Sequence, residues 1–197
     1  MGDWFQTIVD VEAGAEDADR LAARVRDWLI SVEVVLAERT DCVLGAEVGH
    51  PPGPAAGQAL EDPSSDDGWQ GLWSNGLDIT VGRRVFDAGQ GEVEAVTCPH
   101  CMGAIRLIDD GWELIDEAWA PFREVLTDWP EGYDGVIACP SCDQPVEPTA
   151  WRWADDYFVL GHLGFTFWNW PPLKQDFVAE VGWRLGGHRT VLLAGKL

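Results

Sequence analysis

The spacing of apolar and polar side chains predicts regular structure at the N-terminal end of the chain. Residues 4–11 (WFQTIVDV) present two alternating faces, which indicates a strand. Residues 16–30 carry apolar side chains three and four positions apart, the pattern of an amphipathic helix. Residues 32–37 (VEVVLA) follow as a second apolar strand. The chain is therefore predicted to open with a β-α-β unit.

The C-terminal end repeats this order without repeating the residues. Residues 162–170 are rich in strand-forming side chains, residues 173–185 have helical spacing after two prolines, and residues 190–194 (TVLLA) form a closing strand. We expect the two β-α-β units to pack in one mixed or antiparallel sheet. The fold class predicted is a single α+β domain over residues 1–197.

The stretch between the two units changes character. Residues 45–71 contain closely spaced glycines and prolines, which predict a long loop. Residues 77–81 and 84–87 indicate short strands. Asp66, Asp67 and Gly68 close this loop.

Four cysteines lie in two short motifs in the middle of the chain. The motifs are Cys98-Pro99-His100-Cys101 and Cys139-Pro140-Ser141-Cys142. Two residues between paired cysteines allow a tight turn to direct both sulfurs at one metal ion, and two such pairs supply a tetrahedral zinc site. Gly103 is expected to provide a left-handed residue for the first turn. The second turn has no equivalent glycine and is predicted to be less regular.

These motifs resemble those of the zinc-ribbon class over residues 93–147. The resemblance implies structural Zn²⁺, one ion per chain, held by Cys98, Cys101, Cys139 and Cys142. The 37 positions between Cys101 and Cys139 exceed the usual ribbon spacing. They accommodate a helix predicted over residues 112–129, in which Pro121 indicates a kink or two short helices.

Other interpretations of the cysteines remain open from the sequence. Iron could occupy a four-thiolate site, each pair could be a redox couple, or His100 could complete a different ligand set. A closed set of four thiolates leaves no position for water and therefore favours a structural role. Cys42, the fifth cysteine, lies beside apolar residues and is expected to be a small buried side chain.

Tryptophan is unusually frequent, with 12 residues, and suggests a possible ligand surface. Trp151 and Trp153 form one i, i+2 pair and Trp168 and Trp170 another, so that each pair is predicted to share one face of a strand. Such pairs can stack on sugars or bases or hold cations. The alternative is a core seam shared with other tryptophans, namely Trp112, Trp119 and Trp129.

Carboxylates and histidines add weaker candidates. Asp109 and Asp110 are interpreted as a helix cap, whereas Asp155 and Asp156, between two aromatic segments, are the pair that merits a test. His162 begins the aromatic strand and could join them in a cleft. His50 and His188 are interpreted as loop or turn residues. No nucleotide-binding or hydrolase fingerprint is present.

The charge of the chain limits its partners. There are 34 acidic and 13 basic residues, a formal net charge of −21. Such a field repels nucleic-acid backbones and anionic lipid, so nucleic-acid binding is not expected and a basic partner is favoured. The sequence has no apolar run long enough for a membrane span and no signal-peptide pattern, and a cytoplasmic location is expected.

The sequence therefore predicts one of two functions. The first is a non-enzymatic, zinc-binding protein that acts through a protein partner, as an inhibitor, immunity protein or adaptor. The alternative is an enzyme or small-ligand-binding protein with a tryptophan-lined cleft near residues 151–170. The oligomeric state is not determined by the sequence.

Overall fold

The computed structural model describes residues 2–64 and 68–197, and the Asp66-Asp67 pair lies outside these residues. Three α-helices are present in the described residues: α1 (Ala15–Ser31), α2 (Asp116–Asp128) and α3 (Gln175–Arg184). The strands are β1 (Trp4–Asp10), β2 (Gly76–Asp87), β3 (Ala95–Thr97), β4 (Ala104–Arg106), β5 (Ile137–Ala138), β6 (Pro145–Val146), β7 (Arg152–Trp153), β8 (Phe158–Trp168) and β9 (Thr190–Lys196).

The two ends of the chain meet in one four-stranded sheet with the order β2-β8-β1-β9. Every neighbouring pair is antiparallel. β1 and β2 therefore run parallel with β8 between them, and β8 and β9 run parallel with β1 between them. These are two interlocked split β-α-β units, the ferredoxin-like topology. The α+β class and the packing of both ends in one sheet are confirmed.

Both helices of these units lie on one face of the sheet, because each carries an apolar stripe that must be buried. The main core between them consists of Ile8 and Leu77 from the sheet, three residues of β8 and the inward faces of α1 and α3. The contributing residues of β8 and the helices include Leu163, Phe165, Phe167, Leu21, Val25, Leu29, Phe177, Val178 and Val181. Neither α1 nor α3 covers the opposite face of the sheet, which is called the open face below.

The second strand predicted at residues 32–37 is wrong. Val32 ends α1, Glu33 has a positive φ of 56°, and Val35 makes only an isolated bridge to Pro52. Val34 and Val35 are nevertheless buried in the main core. Their apolar character reflects this burial in the core rather than pairing in the sheet, and the strand that completes the first unit is β2.

The long loop predicted at residues 45–71 contains no α-helix or extended strand in its described part. It has two short 3₁₀ turns, Ala56–Ala59 and Trp69–Gly71. Leu60 forms an isolated bridge with Leu173 and is buried in the main core. The short strands predicted at 77–81 and 84–87 are halves of β2, joined by a bulge at which Gly82 has a φ of 104°.

Residues 88–157, called the insertion below, leave the sheet after β2 and return at β8. They have their own core of buried side chains, to which Cys98, Cys139, Phe122, Trp151 and Trp153 belong. The predicted helix is present as α2 with Pro121 inside it, so that of the two expected alternatives, a kink or two short helices, the division into two helices is not found. Residues 112–115, predicted as the start of this helix, instead lie in a turn, where Leu114 forms an isolated β-bridge with Ile108.

None of the helices in the described ranges has both the length and the apolar character needed to cross a bilayer.

Candidate metal centre

The four predicted cysteine ligands come together in the insertion. Their Sγ atoms all lie within 4.8 Å of one another. The Sγ atoms of Cys98 and Cys142 are 4.0 Å apart, and those of Cys101 and Cys139 are 3.8 Å apart. A tetrahedral zinc ion with four sulfurs about 2.3 Å away has sulfur–sulfur edges of about 3.8 Å. The spacing of the four thiols therefore fits a tetrahedral metal ion.

The first pair of cysteines is held by a tight turn. The Cys98 amide donates to the Gly103 carbonyl at 3.0 Å, and the Met102 amide donates to the Cys98 carbonyl at 3.0 Å. Met102 has a φ of 59° and is the left-handed residue of the turn. The expectation that Gly103 takes this role is wrong, because the reversal falls directly after the second cysteine.

The second turn has the same hydrogen bonds and the same left-handed position as the first turn. The Cys139 amide donates to the Gln144 carbonyl at 2.9 Å, and the Asp143 amide donates to the Cys139 carbonyl at 2.8 Å. Asp143 has a φ of 56°. Aspartate tolerates this conformation better than most side chains, so the turn is regular without glycine and the predicted irregularity is wrong.

Backbone amides of the first turn point at its sulfurs. The His100 amide lies 3.4 Å from Cys98 Sγ, and the Gly103 amide lies 3.4 Å from Cys101 Sγ. Such contacts orient thiolate ligands and offset part of their negative charge. The exposed side chain of His100 is not part of the ligand cluster among the described residues. His100 contributes to the centre through its backbone.

The crowding of four thiols sets their charge states. Burial raises the pKa of the Cys139 thiol, but hydrogen bonds from the Ser141 and Cys142 amides and from the Cys98 and Cys142 thiols together outweigh it and lower that pKa to about 7. The Gln144 amide lowers the pKa of Cys142, but burial and the three neighbouring sulfurs outweigh it and raise that pKa to about 12. Four thiolates therefore require a cation between them, because like charges this close cannot all ionise alone.

The centre is built into the core of the insertion. Cys98 and Cys139 are fully buried there, whereas Cys101 is exposed. The buried half contacts the aromatic side chains that fill this core. Since all four positions around an ion would be protein sulfurs, no position is available for water or substrate. The arrangement suits a structural metal ion that joins two segments distant in sequence.

Three of the other candidate residues meet at one cavity. Trp151, Trp153 and Asp156 line a cavity of about 490 Å³ between the insertion and the open face of the sheet. Arg152 and Arg189 also line it, one from each side. Both tryptophans are nearly fully buried and pack edge-on against Phe122, so most of their surface belongs to the core.

The second tryptophan pair does not share a face. Trp168 ends β8 on the open face, where its ring lies 5.4 Å from that of Phe5. Asn169 has a φ of 55° and turns the chain, so that Trp170 enters the main core against Trp69 at 5.1 Å. The prediction for Trp168 and Trp170 is wrong, because the i, i+2 rule holds only while the strand continues.

Asp155 and His162 are not brought to this cavity. Asp155 is exposed, and His162 lies against the ring of Trp129 at 5.8 Å. Trp129 itself is covered by the guanidinium of Arg83 at 4.3 Å. Of the three polar candidates for a tryptophan-lined cleft, Asp156 is the one that lines this cavity.

The aromatic core seam is present in part. Trp119 stacks near Trp153 at 6.0 Å, and Phe158 meets both rings. Trp112, in contrast, is 67% exposed. The tryptophans of the insertion therefore divide between a packed cluster and a solvent-facing side chain.

Sequence reasoning missed two buried acids of the sheet. Asp10 ends β1, is fully buried, and lies 2.9 Å from the Nδ1 atom of His188. Asp78 is buried within β2 and lines a second cavity on the open face. The available signal was local: Asp10 lies between Val9 and Val11, and Asp78 lies between Leu77 and Ile79.

Fold and centre together define an α+β protein with a four-cysteine cluster able to hold a metal ion. Comparison of the chain with protein-family models, with curated proteins and with solved structures finds no match.

Proposed function

We propose that the cysteine cluster binds one Zn²⁺ ion in a zinc-ribbon-like structural site that holds the insertion together. The observation that carries this proposal is the approach of all four Sγ atoms to within 4.8 Å of one another. Two of these cysteines belong to the core of the insertion. A metal ion there adds binding free energy directly to folding, as in other small metal-stabilised units.

The geometry favours a shared metal over redox pairs. The Sγ–Sγ distances of 3.8 and 4.0 Å each join a cysteine of one motif to a cysteine of the other. A redox couple instead needs the two cysteines of the same motif close together. Both separations are far above the roughly 2.05 Å of a disulfide bond. Iron suits the same four thiolates, and the metal content distinguishes it from zinc.

Metal analysis of the purified protein tests the proposal. We expect about one zinc per chain, as one four-thiolate cluster binds one ion. Cys98→Ser and Cys139→Ser should lose the metal. The matched control is Cys42→Ser, because Cys42 is also buried but lies in a separate small cluster with Phe5, Val43 and Trp168. A visible charge-transfer band with iron in place of zinc, or retention of metal in both variants, would contradict a zinc site.

We further propose that the protein acts in the cytoplasm as a non-enzymatic binding protein for a basic protein partner. The net charge of −21 supports a basic partner. One exposed surface suits such a partner: Trp4 is 59% exposed and Trp73 is 69% exposed. The segments carrying them are joined because Ser74 Oγ donates to Asp3 Oδ1 at 2.9 Å.

This Trp4–Trp73 surface, defined by residues 3, 4, 72 and 73, already holds a cation within the chain. The Nζ atom of Lys196 lies 5.3 Å from the ring centre of Trp4. Exposed indole faces beside carboxylates attract lysine and arginine side chains. A basic partner could therefore use the free face of Trp73 in the same way.

Capture experiments with defined variants test the partner proposal. We expect the native chain to retain a protein of basic isoelectric point, released by high salt, which Trp73→Ala loses. Trp183→Ala is the matched control, because Trp183 is 65% exposed but lies on α3. The proposal is contradicted when no basic protein distinguishes the native chain from Trp73→Ala.

A small-ligand or enzymatic role is a second candidate. It is favoured by the cavity of about 490 Å³ that Trp151, Trp153 and Asp156 line. Asp156→Ala should then abolish binding or turnover of the ligand without unfolding the chain, since Asp156 is exposed. A screen in which native protein and Asp156→Ala bind the same set of compounds would remove this candidate.

A further inference from the structure

A row of buried polar side chains crosses three strands of the sheet. Asp78 of β2 pairs with Thr166 of β8, and Thr166 pairs with Thr7 of β1. The hydroxyl oxygens of Thr7 and Thr166 lie 3.0 Å apart. All three residues are at most 8% exposed. Polar groups in this position are costly unless they have partners, so a continuous row of them on one face calls for an explanation.

This polar row lines a cavity of about 550 Å³ on the open face of the sheet. Ligand sites in proteins commonly enclose about 300–1,000 Å³. Aromatic side chains flank the row on both sides. Phe5 and Trp168 lie on one side with ring centres 5.4 Å apart, and Phe86 lies on the other. The cavity thus combines apolar walls with a narrow polar strip.

The position of Phe86 depends on a glycine of β8. A Cβ atom added to Gly164 would lie 2.4 Å from Phe86 Cε1, so the ring rests directly on the strand backbone. The ring is 7% exposed and belongs to a small apolar cluster with Val9, Val159 and Leu193. Phe86 is the member of this cluster that lines the cavity, and its packing fixes one aromatic wall.

The buried carboxylate of Asp78 forms none of the ion pairs found among the described residues. Burial raises its pKa, and the Ile79 amide and the charges of Arg39 and Arg84 do not outweigh burial. Gly45 of the long loop passes close above it, because a Cβ added there would lie 2.4 Å from Asp78 Oδ2. A cation placed in the cavity would supply the missing charge.

A positive group stands at the edge of the same cavity. Arg84 lines it and is exposed. Among the described residues, Arg84 takes part in none of the ion pairs, although the chain has many more acids than bases. The cavity therefore offers a buried negative group, Asp78, and two exposed charged groups that also line it, the guanidinium of Arg84 and the carboxylate of Asp87.

We propose that this cavity binds a small zwitterion of the amino-acid type with an aromatic or bulky apolar side group. Asp78 receives the ammonium group, with the Thr7 and Thr166 hydroxyls beside it. Arg84 receives the carboxylate, and the apolar group lies between Trp168 and Phe86. The site is separate from the cysteine cluster and from the Trp4–Trp73 surface.

Three probes of matched shape test the proposal by isothermal titration calorimetry on the full metal-loaded chain. They are phenylalanine, which has both charges, phenethylamine, which has the ammonium alone, and 3-phenylpropionate, which has the carboxylate alone. We expect phenylalanine to bind most tightly, phenethylamine more weakly, and 3-phenylpropionate not measurably. Binding of 3-phenylpropionate in preference to the two amines, or of none of the three, would overturn the proposal.

Variants assign the two charged contacts. Asp78→Asn should weaken phenylalanine and phenethylamine binding by about tenfold or more, the usual loss for a charged hydrogen bond. Arg84→Gln should weaken phenylalanine to the level of phenethylamine and leave phenethylamine unchanged. Asp156→Asn and Arg152→Gln, the same substitutions at the other cavity, are the controls. Equal losses in these controls would refute the assignment, and circular dichroism checks that each variant is folded.

Discussion

The Nδ1 atom of His188 lies 2.9 Å from the Oδ2 atom of Asp10, although 178 residues separate them along the chain. The other carboxylate oxygen of Asp10 accepts hydrogen bonds from the amides of Glu12 and Ala13, at 2.9 and 3.0 Å. Asp10 is fully buried and His188 is partly exposed. The carboxylate therefore joins the end of β1 to the segment that leads into β9.

Asp10→Ala should be strongly destabilising, because it leaves two amides and an imidazole without their acceptor. We expect a loss of about 2–4 kcal/mol in the free energy of unfolding, measured by urea titration. Asp19→Ala is the control, since Asp19 is exposed on α1. A change in Asp10→Ala no larger than that of the control would show that the carboxylate is not a structural link.

Removal of the metal should loosen the insertion before the sheet. The insertion has its own core around Cys98 and Cys139, whereas the main core lies between the sheet and the two helices. After chelation, we expect faster hydrogen exchange of β3 amides such as Val96 and little change for β1 amides such as Ile8. Both residues are fully buried in strands, which makes them a matched pair. Equal acceleration at both would indicate a single cooperative unit.

Asp78 should make the stability of the fold dependent on pH. Burial raises its pKa above the ordinary value of 3.8, so the unfolded chain releases this proton at lower pH than the native chain does. Ionisation therefore costs stability as the pH rises above 3.8, and the full cost is present above the native pKa. Asp78→Asn should raise the melting temperature at pH 7, with a gain that shrinks as the pH falls towards 3.8. A lower melting temperature at pH 7 would contradict this.

Asn169 should be needed both for its backbone conformation and for its side chain. It has a φ of 55°, donates to Asp3 Oδ1 at 2.8 Å and accepts from the Trp4 amide at 2.9 Å. Asn169→Gly loses the hydrogen bonds alone, whereas Asn169→Ala also strains the backbone. We expect the alanine variant to be less stable than the glycine variant by about 1 kcal/mol in chemical unfolding. The reverse order would show that the left-handed turn carries no strain.

The cysteine cluster was predictable because its information is local. Paired cysteines two residues apart define each turn, and two pairs define a ligand set wherever the intervening chain runs. The helix between the two cysteine pairs was also predictable from apolar spacing, although α2 begins at Asp116 and not at residue 112. Residues 112–115 have the same apolar spacing but lie in a turn instead, which spacing does not distinguish from a helix start.

The arrangement of the two predicted tryptophan pairs was less predictable, because it depended on the residue at which β8 ends. Trp151 and Trp153 stay together in the insertion core, whereas the left-handed Asn169 separates Trp168 from Trp170. A single residue with positive φ carries little signal in the sequence. Its effect, however, is to send one indole to the open face and the other to the main core.

The sequence by itself determined the four-cysteine cluster, the α+β class, and a strand followed by a helix at each end, whereas the strand that completes the first unit is β2 and not the predicted residues 32–37. These follow from residue spacing, which acts over a few positions. Only the tertiary structure decided that the two units interlock, because strand order depends on contacts between segments more than 100 residues apart. The same pairing places Asp78, Thr166 and Thr7 side by side. No local pattern joins these three residues, since they become neighbours only across the hydrogen bonds of the sheet.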